Sequence, residues 1–85
     1  MRFFYFNAMY YTYILKSLKN NKFYIGQTNN INNRLEAHNK GYNHSTKNGI
    51  PWILIFSKSF ENRSEAIKLE RKLKNLKSQK RIFLS

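Results

Sequence analysis

Strand-like residues dominate the first third of the chain and are interrupted once by a polar stretch. Residues 10–16 are rich in β-branched and aromatic side chains, which favour extended structure. The polar residues 18–22 follow, and Asn20 and Asn21 can both adopt the left-handed backbone of a tight turn. Residues 23–26 return to the strand pattern, and the glycine at their end is expected to terminate it. The pattern therefore predicts a β-hairpin.

A helical period replaces the strand pattern between residues 30 and 40. Ile31, Leu35 and His38 recur at i, i+4 and i+7, so they share one face of a short helix. Gly41 stands where a left-handed residue would end that helix. Three residues before the helix offer capping side chains: Thr28, Asn29 and Asn30.

The second half of the chain predicts a loop, a strand and a longer helix. Residues 41–50 are mostly polar and predict a loop, whereas the apolar run 52–56 that follows Pro51 predicts a buried strand. Asn62 and Glu65 have the spacing of a capping box, which predicts where the second helix begins. Lysines occupy the outer face of this helix, and its apolar stripe has four members: Ala66, Leu69, Leu73 and Leu76.

The element order is therefore β-β-α-β-α in one α+β domain. The pattern at the C-terminus is compatible with one further short helix. A chain of 85 residues has no room for a second independent core. We assign the domain to residues 9–82, because Met9 begins the clearer pattern, and treat residues 1–8 as an N-terminal extension of undecided status. Tyrosines and Asn7 interrupt the apolar residues of the N-terminal stretch 1–15, so no secretory signal is expected.

The charge of the chain is strongly positive. Sixteen Lys and Arg residues stand against four acids, which gives a net charge of +12 and an isoelectric point near 10.3. Such a field favours a polyanionic partner, either nucleic acid or, as a distant alternative, an anionic membrane surface. No apolar stretch approaches the roughly 18 residues of a membrane span. The absence of cysteine fits a reducing compartment, so a cytoplasmic location is expected.

Cations are concentrated on the second predicted helix and just beyond it. Within residues 68–81 only Glu70 offsets these cations, which favours contact with phosphates over the alternative of a solvated lysine face. Five members are predicted to contact nucleic acid: Lys68, Arg71, Lys72, Lys74 and Lys77.

One of the four carboxylates differs from the others in its helical position. Glu36 lies on the wet side of the first helix and is placed to pair with Lys40 at i+4. Glu70 borders the apolar side of the second helix. It could be an ordinary helix residue that pairs with Lys74, or a carboxylate that points into a cleft and holds Mg²⁺ together with waters and phosphate oxygens.

Four further side chains have both a chemical and a structural interpretation. Arg34 and His38 flank the apolar stripe of the first helix, where they could bind a phosphate and move a proton, or simply cover the edge of the core. Tyr13 and Tyr24 lie on the two arms of the hairpin and could be packing residues. Alternatively, neighbouring cations could lower the pKa of a tyrosine and let it take a proton from water. A Ser-His-Asp triad is excluded, because the chain has no Asp.

An ordered series of short motifs resembles the GIY-YIG nuclease superfamily. The motifs are YTYIL at residues 11–15, FYIGQT at 23–28, RLEAH at 34–38, ST at 45–46, PW at 51–52 and SEAIKLE at 64–70. Each motif is weak alone, but their order and spacing are specific and extend over residues 9–80. The chain is most similar to small stand-alone bacterial members, which are similar to the N-terminal nuclease domain of the bacterial excision-repair incision enzyme.

This resemblance implies a small three-stranded antiparallel sheet flanked by helices, with a concave site that cuts phosphodiester bonds with one divalent metal, Mg²⁺ or Mn²⁺. The matching catalytic positions are Tyr13 and Tyr24 for the two motif tyrosines, Arg34 for the helix arginine, His38 for a histidine frequent in stand-alone members, and Glu70 for the metal-binding glutamate. The first motif has Tyr11 and Thr12 in place of Gly-Ile, and stand-alone members commonly lack that glycine. Asn75 lies too close to Glu70 to be assigned the role of a later asparagine that some members use.

The function implied is that of a metal-dependent DNA endonuclease in repair, recombination or DNA processing. Nucleic acid is the expected partner, with neither a membrane nor an obligate protein partner. A second hypothesis is a basic nucleic-acid-binding module that has the same fold and little or no catalysis.

Overall fold

The computed structural model describes residues 9–78, and its elements follow the predicted order. The elements are β1 (Tyr10–Ser17), β2 (Phe23–Thr28), α1 (Ile31–Asn39), β3 (Trp52–Phe60) and α2 (Arg63–Ser78), with one 3₁₀ turn at Lys47–Gly49. Both strand pairs are antiparallel, and the sheet order is β2-β1-β3. The predicted α+β fold with a three-stranded antiparallel sheet is therefore confirmed. The N-terminal extension and the last short helix lie outside the described residues.

The local signals that set the element boundaries act as predicted, with one exception. Asn21 has a φ of 64° in the hairpin turn, and Gly41 has a φ of 79° after α1. The Asn30 side chain accepts a hydrogen bond from the backbone N–H of Asn33 at 3.0 Å and so caps α1. The exception is Gly26, which does not end β2, because the strand continues to Thr28.

The two faces of β1 are covered by different helices. Tyr13, Leu15 and Trp52 form a buried cluster on one face, and residues of α1 pack against it. Thr12 faces the other side, where its hydroxyl donates a 2.6 Å hydrogen bond to the carbonyl oxygen of Ala66 in α2. Both groups are buried, so this bond ties α2 to the centre of the sheet.

The prediction that residues 52–56 form a buried strand is wrong in its burial. Four apolar side chains of β3 are 38–45% exposed: Ile53, Leu54, Ile55 and Phe56. Within residues 9–78 β3 is an edge strand, and the described helices leave these four side chains uncovered. Trp52, at the start of the strand, is the one residue of β3 that is buried.

The loop predicted for residues 41–50 is fixed to the sheet at several points. The Ser17 hydroxyl donates to the carbonyl oxygen of Gly49 at 2.6 Å, and the Trp52 indole N–H donates to the carbonyl oxygen of Thr46 at 2.8 Å. The Asn39 side chain bonds both backbone groups of Trp52, at 2.6 and 3.0 Å. This loop therefore presents Thr46 to α1 at a defined place. No helix in residues 9–78 has the length and apolar character required to cross a membrane.

Candidate active site

Three rings from three separate elements meet on the α1 side of the sheet. The ring centroids of Tyr13 and Tyr24 are 6.3 Å apart, and those of Tyr24 and His38 are 4.8 Å apart. Tyr13 and His38 are 6.2 Å apart between centroids. The rings come from β1, β2 and α1, so the fold brings together three of the residues that sequence reasoning selected. We refer to Tyr13, Tyr24 and His38 as the aromatic cluster.

Strand register places the two tyrosines of the cluster on one face. Leu15 lies opposite Tyr24, and Tyr13 lies opposite Gly26, so the tyrosines are diagonal neighbours on adjacent strands. A Cβ atom on Gly26 would lie 2.6 Å from Oη of Tyr13. Only glycine therefore lets the Tyr13 ring lie across β2. Sequence reasoning missed this positioning role, although the glycine is part of the FYIGQT motif that carried the resemblance.

His38 is fully buried at the end of α1 and is held from two sides. Its Nε2 atom lies 3.2 Å from Oη of Tyr13, and its Nδ1 atom lies 2.8 Å from Oγ1 of Thr46. Thr46 is also buried. Sequence reasoning had noted this threonine only as part of a motif, because a threonine in a polar loop gives no signal of a buried partner.

Burial sets the protonation states of the cluster. It raises the pKa of Tyr13 well above the ordinary value of 10, and the neighbouring Tyr24 raises it further. Arg34 lowers the pKa of Tyr13, but this effect is smaller than that of burial. The idea that cations lower the pKa of this tyrosine was therefore wrong in its net direction. Burial, followed by Arg34, lowers the pKa of His38 below 6.5, so this imidazole is neutral near pH 7.

Arg34 is an exposed residue of α1, one turn before His38. Both side chains line the same open cleft, together with His44. Within residues 9–78 the Arg34 guanidinium forms no ion pair with a carboxylate. Its charge still influences the pKa of both Tyr13 and His38. The side chain is therefore placed where it could bind a phosphate beside the aromatic cluster.

Glu70 forms the ion pair that one alternative predicted, and its side chain is also mostly buried. Its Oε2 atom lies 2.9 Å from Nζ of Lys74, so the i,i+4 ion pair is present. The glutamate side chain is nevertheless only 18% exposed, and its charge contributes to the raised pKa of Tyr13. The carboxylate is therefore close to the cluster.

No group of three or more ligating side chains that could hold a metal occurs within residues 9–78. A carboxylate oxygen is the type of ligand that Mg²⁺ prefers, and Mg²⁺ usually keeps several waters and shares substrate phosphates. Glu70 therefore fits such an ion as a single protein ligand, with waters and phosphate oxygens completing the coordination.

The five predicted nucleic-acid contacts on α2 do not all lie beside the cluster. Lys74 and Lys77 line a cleft next to Tyr24. The Lys77 ammonium donates to the carbonyl oxygen of Phe23. Its pKa is lowered by burial and then by the charges of Lys74 and Lys22. The other three residues are exposed along α2: Lys68, Arg71 and Lys72.

Comparison with known proteins identifies the family. A family model described as the GIY-YIG catalytic domain matches residues 9–82. A UPF0213 protein of Staphylococcus haemolyticus is 34% identical over 76 residues, covering 88% of this chain and 92% of the relative. Another, from Clostridium perfringens, is 38% identical over 77 residues, covering 89% of this chain and 82% of the relative. The chain therefore belongs to the GIY-YIG family.

Proposed function

We propose that this protein is a divalent-metal-dependent endonuclease that hydrolyses phosphodiester bonds in DNA, in repair, recombination or DNA processing. Membership of the GIY-YIG family supports nuclease chemistry. The observation that carries the proposal is the convergence of Tyr13, Tyr24 and His38 in one cluster, with Arg34 and Glu70 near enough to alter the pKa of Tyr13. Titratable groups with shifted pKa values beside a cleft are typical of catalytic sites.

The neutral state of His38 supports a role as a proton acceptor. Phosphodiester hydrolysis by water requires a group that takes a proton as the new P–O bond forms. Tyr13 keeps its own proton at neutral pH, because burial raises its pKa. A proton that leaves the Tyr13 hydroxyl has an acceptor at 3.2 Å, the Nε2 atom of His38. The two residues can therefore act together as a relay, in which the Tyr13 oxygen takes a proton from the attacking water and passes its own proton to histidine.

Arg34 and Glu70 supply the charges that such a reaction needs. The Arg34 guanidinium would bind a phosphate oxygen and stabilise the negative charge that develops there. Glu70 would hold the metal, which when bound would stabilise charge on the phosphate and lower the pKa of a bound water. Lys74 occupies one carboxylate oxygen of Glu70 at 2.9 Å, so we expect this ion pair to loosen when a divalent cation binds.

The positions of the lysines on α2 support a nucleic-acid substrate. Lys74 and Lys77 lie beside Tyr24 and would contact the phosphates that flank the scissile bond. Lys68, Arg71 and Lys72 are exposed and would extend that contact along the duplex. Lysine contacts of this kind add affinity without reading base sequence.

The decisive test replaces Glu70 by Gln and compares it with a matched variant, Glu36→Gln. Both glutamates form i,i+4 ion pairs of 2.9 Å with lysines that are 54% exposed, but Glu36 is 60% exposed on α1 whereas Glu70 is 18% exposed. Losing either pair should cost only about 0.2–0.5 kcal/mol of stability. We expect Glu70→Gln to lose metal-dependent cleavage by at least roughly a hundredfold, since removing one group that stabilises transition-state charge costs about that much.

The control variant separates this role from a general effect of charge. Glu36→Gln should cut DNA at the wild-type rate, and both variants should bind DNA at least as tightly as the wild type. Circular dichroism, a binding titration and cleavage of labelled DNA with Mg²⁺ or Mn²⁺ provide the measurements. Wild-type cleavage by Glu70→Gln would rule out Glu70 as the metal ligand.

A basic nucleic-acid-binding module with little catalysis is the second candidate. One observation favours it: within the described part of the chain Glu70 is the only carboxylate close to the cluster, and it is already paired with Lys74. The same assay separates the two candidates. Tight binding without cleavage of single-stranded, duplex or branched DNA by the wild-type protein in either metal would favour the binding module.

A further inference from the structure

Thr46 contacts His38 on the side opposite Tyr13, and its own position is fixed by the loop that carries it. Its carbonyl oxygen accepts hydrogen bonds from the indole N–H of Trp52 at 2.8 Å and from the backbone N–H of Gly49 at 3.0 Å. Its backbone N–H donates to the carbonyl oxygen of Asn43 at 3.1 Å. The side chain is 3% exposed. The hydroxyl is thus held against the imidazole by bonds that do not involve the aromatic cluster.

The donors and acceptors in this chain of contacts have one arrangement that satisfies all of them. The Thr46 hydroxyl lies 3.3 Å from the carbonyl oxygen of Asn43, which can only accept, and 2.8 Å from Nδ1 of His38. If the hydroxyl donates to Asn43, its oxygen is free to accept a hydrogen bond from Nδ1–H. The Nε2 atom is then unprotonated and accepts from the Tyr13 hydroxyl at 3.2 Å.

The opposite arrangement leaves a buried donor without an acceptor. If Thr46 donated to Nδ1, Nε2 would carry the proton and donate to the Tyr13 oxygen. The Tyr13 hydroxyl would then need another acceptor, and the structure gives it none within residues 9–78. Tyr13 is 3% exposed, and an unsatisfied buried hydroxyl is unfavourable. Complete pairing therefore selects the Nδ1–H form of His38.

We propose that Thr46 is a positioning residue that holds His38 in its Nδ1–H tautomer, so that the lone pair of Nε2 points at the Tyr13 hydroxyl. The catalytic meaning of this arrangement rests on the proposed function, but the tautomer does not. In the relay described above, the Tyr13 oxygen takes a proton from the attacking water while its own O–H bond breaks and an N–H bond forms at Nε2. The resulting imidazolium keeps donating from Nδ1 to Thr46, whose hydroxyl still donates to Asn43, so no other group has to turn.

The tautomer can be measured directly in the intact protein. Long-range ¹H–¹⁵N correlation spectra distinguish protonated from unprotonated ring nitrogens, and a His44→Gln variant assigns the two histidines. At about pH 8, well above the ordinary pKa of histidine, we expect wild-type His38 to carry its proton on Nδ1. A wild-type spectrum with the proton on Nε2 would overturn the proposal, whether or not the protein cuts DNA.

Two variants then test whether Thr46 is the cause. Thr46→Val keeps the shape and removes the hydroxyl, whereas Thr46→Ser keeps the hydroxyl. We expect Thr46→Val to shift His38 towards the Nε2–H form, and Thr46→Ser to retain the wild-type tautomer. An unchanged tautomer in folded Thr46→Val would show that another group sets it and would overturn the proposal. If Thr46→Val fails to fold, the wild-type and Thr46→Ser spectra still test the proposal. Loss of the Nδ1–H form in Thr46→Ser would contradict it, because that variant keeps the hydroxyl.

Cleavage gives an independent readout. Losing the hydrogen-bond partner that orients a metal-ligating histidine costs about 10- to 100-fold in activity. We expect a loss of the same order when Thr46→Val removes the partner of His38, with unchanged DNA affinity. Thr46→Ser should recover the rate. A shifted tautomer with an unchanged cleavage rate would contradict the positioning role. A wild-type protein that cuts no DNA would instead refute the proposed function. The tautomer of His38 would then still be tested by the spectra, which do not depend on cleavage.

Discussion

Gly26 determines whether Tyr13 can reach His38. A Cβ atom at this position would lie 2.6 Å from Oη and 2.8 Å from Cζ of Tyr13, so Gly26→Ala must displace the ring. Overpacking of this kind costs about 1–3 kcal/mol of stability. We expect Gly26→Ala to fold with reduced stability and to lose most of its cleavage activity, because the bond between Tyr13 and His38 is broken. Thermal unfolding and a cleavage assay at low temperature measure the two effects.

The control for this prediction is another glycine-to-alanine change. Gly41→Ala strains the backbone at a φ of 79°, so it too should lower stability. It lies after α1, and its nearest neighbours are Ile50 and Lys47. Gly41→Ala should therefore retain cleavage once folded. Equal loss of activity in the two variants would show that stability, rather than the position of Tyr13, limits the rate.

The lowered pKa of His38 predicts a dependence of stability on pH. The folded state binds a proton less readily than the unfolded state, whose histidine has the ordinary pKa of 6.5. Between the two pKa values the unfolded state therefore carries more protons. The contribution of His38 to the free energy of unfolding is complete above about pH 6.5, and it decreases as the pH falls from there through the folded pKa. Tyr13, Tyr24 and Arg34 face the ring, and none of them is a carboxylate that would favour the imidazolium.

Denaturant unfolding at a series of pH values tests this dependence. The His38→Gln variant lacks the titrating group and should show a smaller loss of stability over the same window. The comparison matters because carboxylates also lower stability in acid, at lower pH. Identical slopes for both proteins between about pH 6.5 and 5 would show that His38 is not the group responsible.

Asn39, the last residue of α1, joins this helix to the edge strand. Its side chain accepts from the backbone N–H of Trp52 at 2.6 Å and donates to the carbonyl oxygen of the same residue at 3.0 Å. Asn39→Ala would leave both backbone groups without these partners, which costs about 1–3 kcal/mol for a buried group. Asn32→Ala, at an exposed position of the same helix, should change stability by less than about 0.5 kcal/mol. Denaturant midpoints of the two variants provide the measurement.

The elements could be predicted from sequence because their signals are local. The capping side chain of Asn30, the φ values of Asn21 and Gly41, and the apolar periods all act within a few residues of where they appear. The burial of β3 could not be predicted in this way. Its continuous apolar run is also what a strand buried on both faces would show, and only the tertiary packing over the sheet decides between the two.

The candidate site was predicted residue by residue from the family motifs, but its internal bonds were not. Tyr13, Tyr24 and His38 come together as the resemblance implied. The contributions of Thr46 and Gly26 depend on strand register and on the path of the loop, which no local pattern records. The net direction of the Tyr13 pKa shift was mispredicted for the same reason, since burial is a tertiary property whereas charge can be counted in the sequence.

The net charge of +12 predicts how the whole molecule binds nucleic acid. If about five or six cations contact phosphates, the logarithm of the association constant for duplex DNA should fall with the logarithm of salt concentration with a slope near −5. Binding should be nearly independent of sequence, because the cations contact phosphates and not base edges. Titrations of two unrelated duplexes at several salt concentrations measure both properties. A slope near zero would contradict electrostatic binding.

A triple variant identifies which part of α2 contributes. Neutralising Lys72, Lys74 and Lys77 together should reduce the slope by about two to three and weaken binding to all sequences alike. The matched control neutralises Lys40, Lys47 and Lys58, which are exposed and lie outside α2. The two triple variants then have the same net charge. Equal effects of both triple variants would show that only the total charge matters.

Within residues 9–78 the outer edge of β3 has no partner strand, and this makes the colloidal behaviour of the protein depend on the same charge. A free strand edge can pair with the edge of another molecule, and apolar side chains such as Ile53 and Ile55 strengthen that tendency. Repulsion between copies that each carry +12 opposes such aggregation. Salt weakens this repulsion, because the Debye length falls from about 10 Å at 0.1 M to about 3 Å at 1 M. High salt, which would release bound nucleic acid from the protein, is therefore also the condition that least opposes pairing between the β3 edges of different molecules.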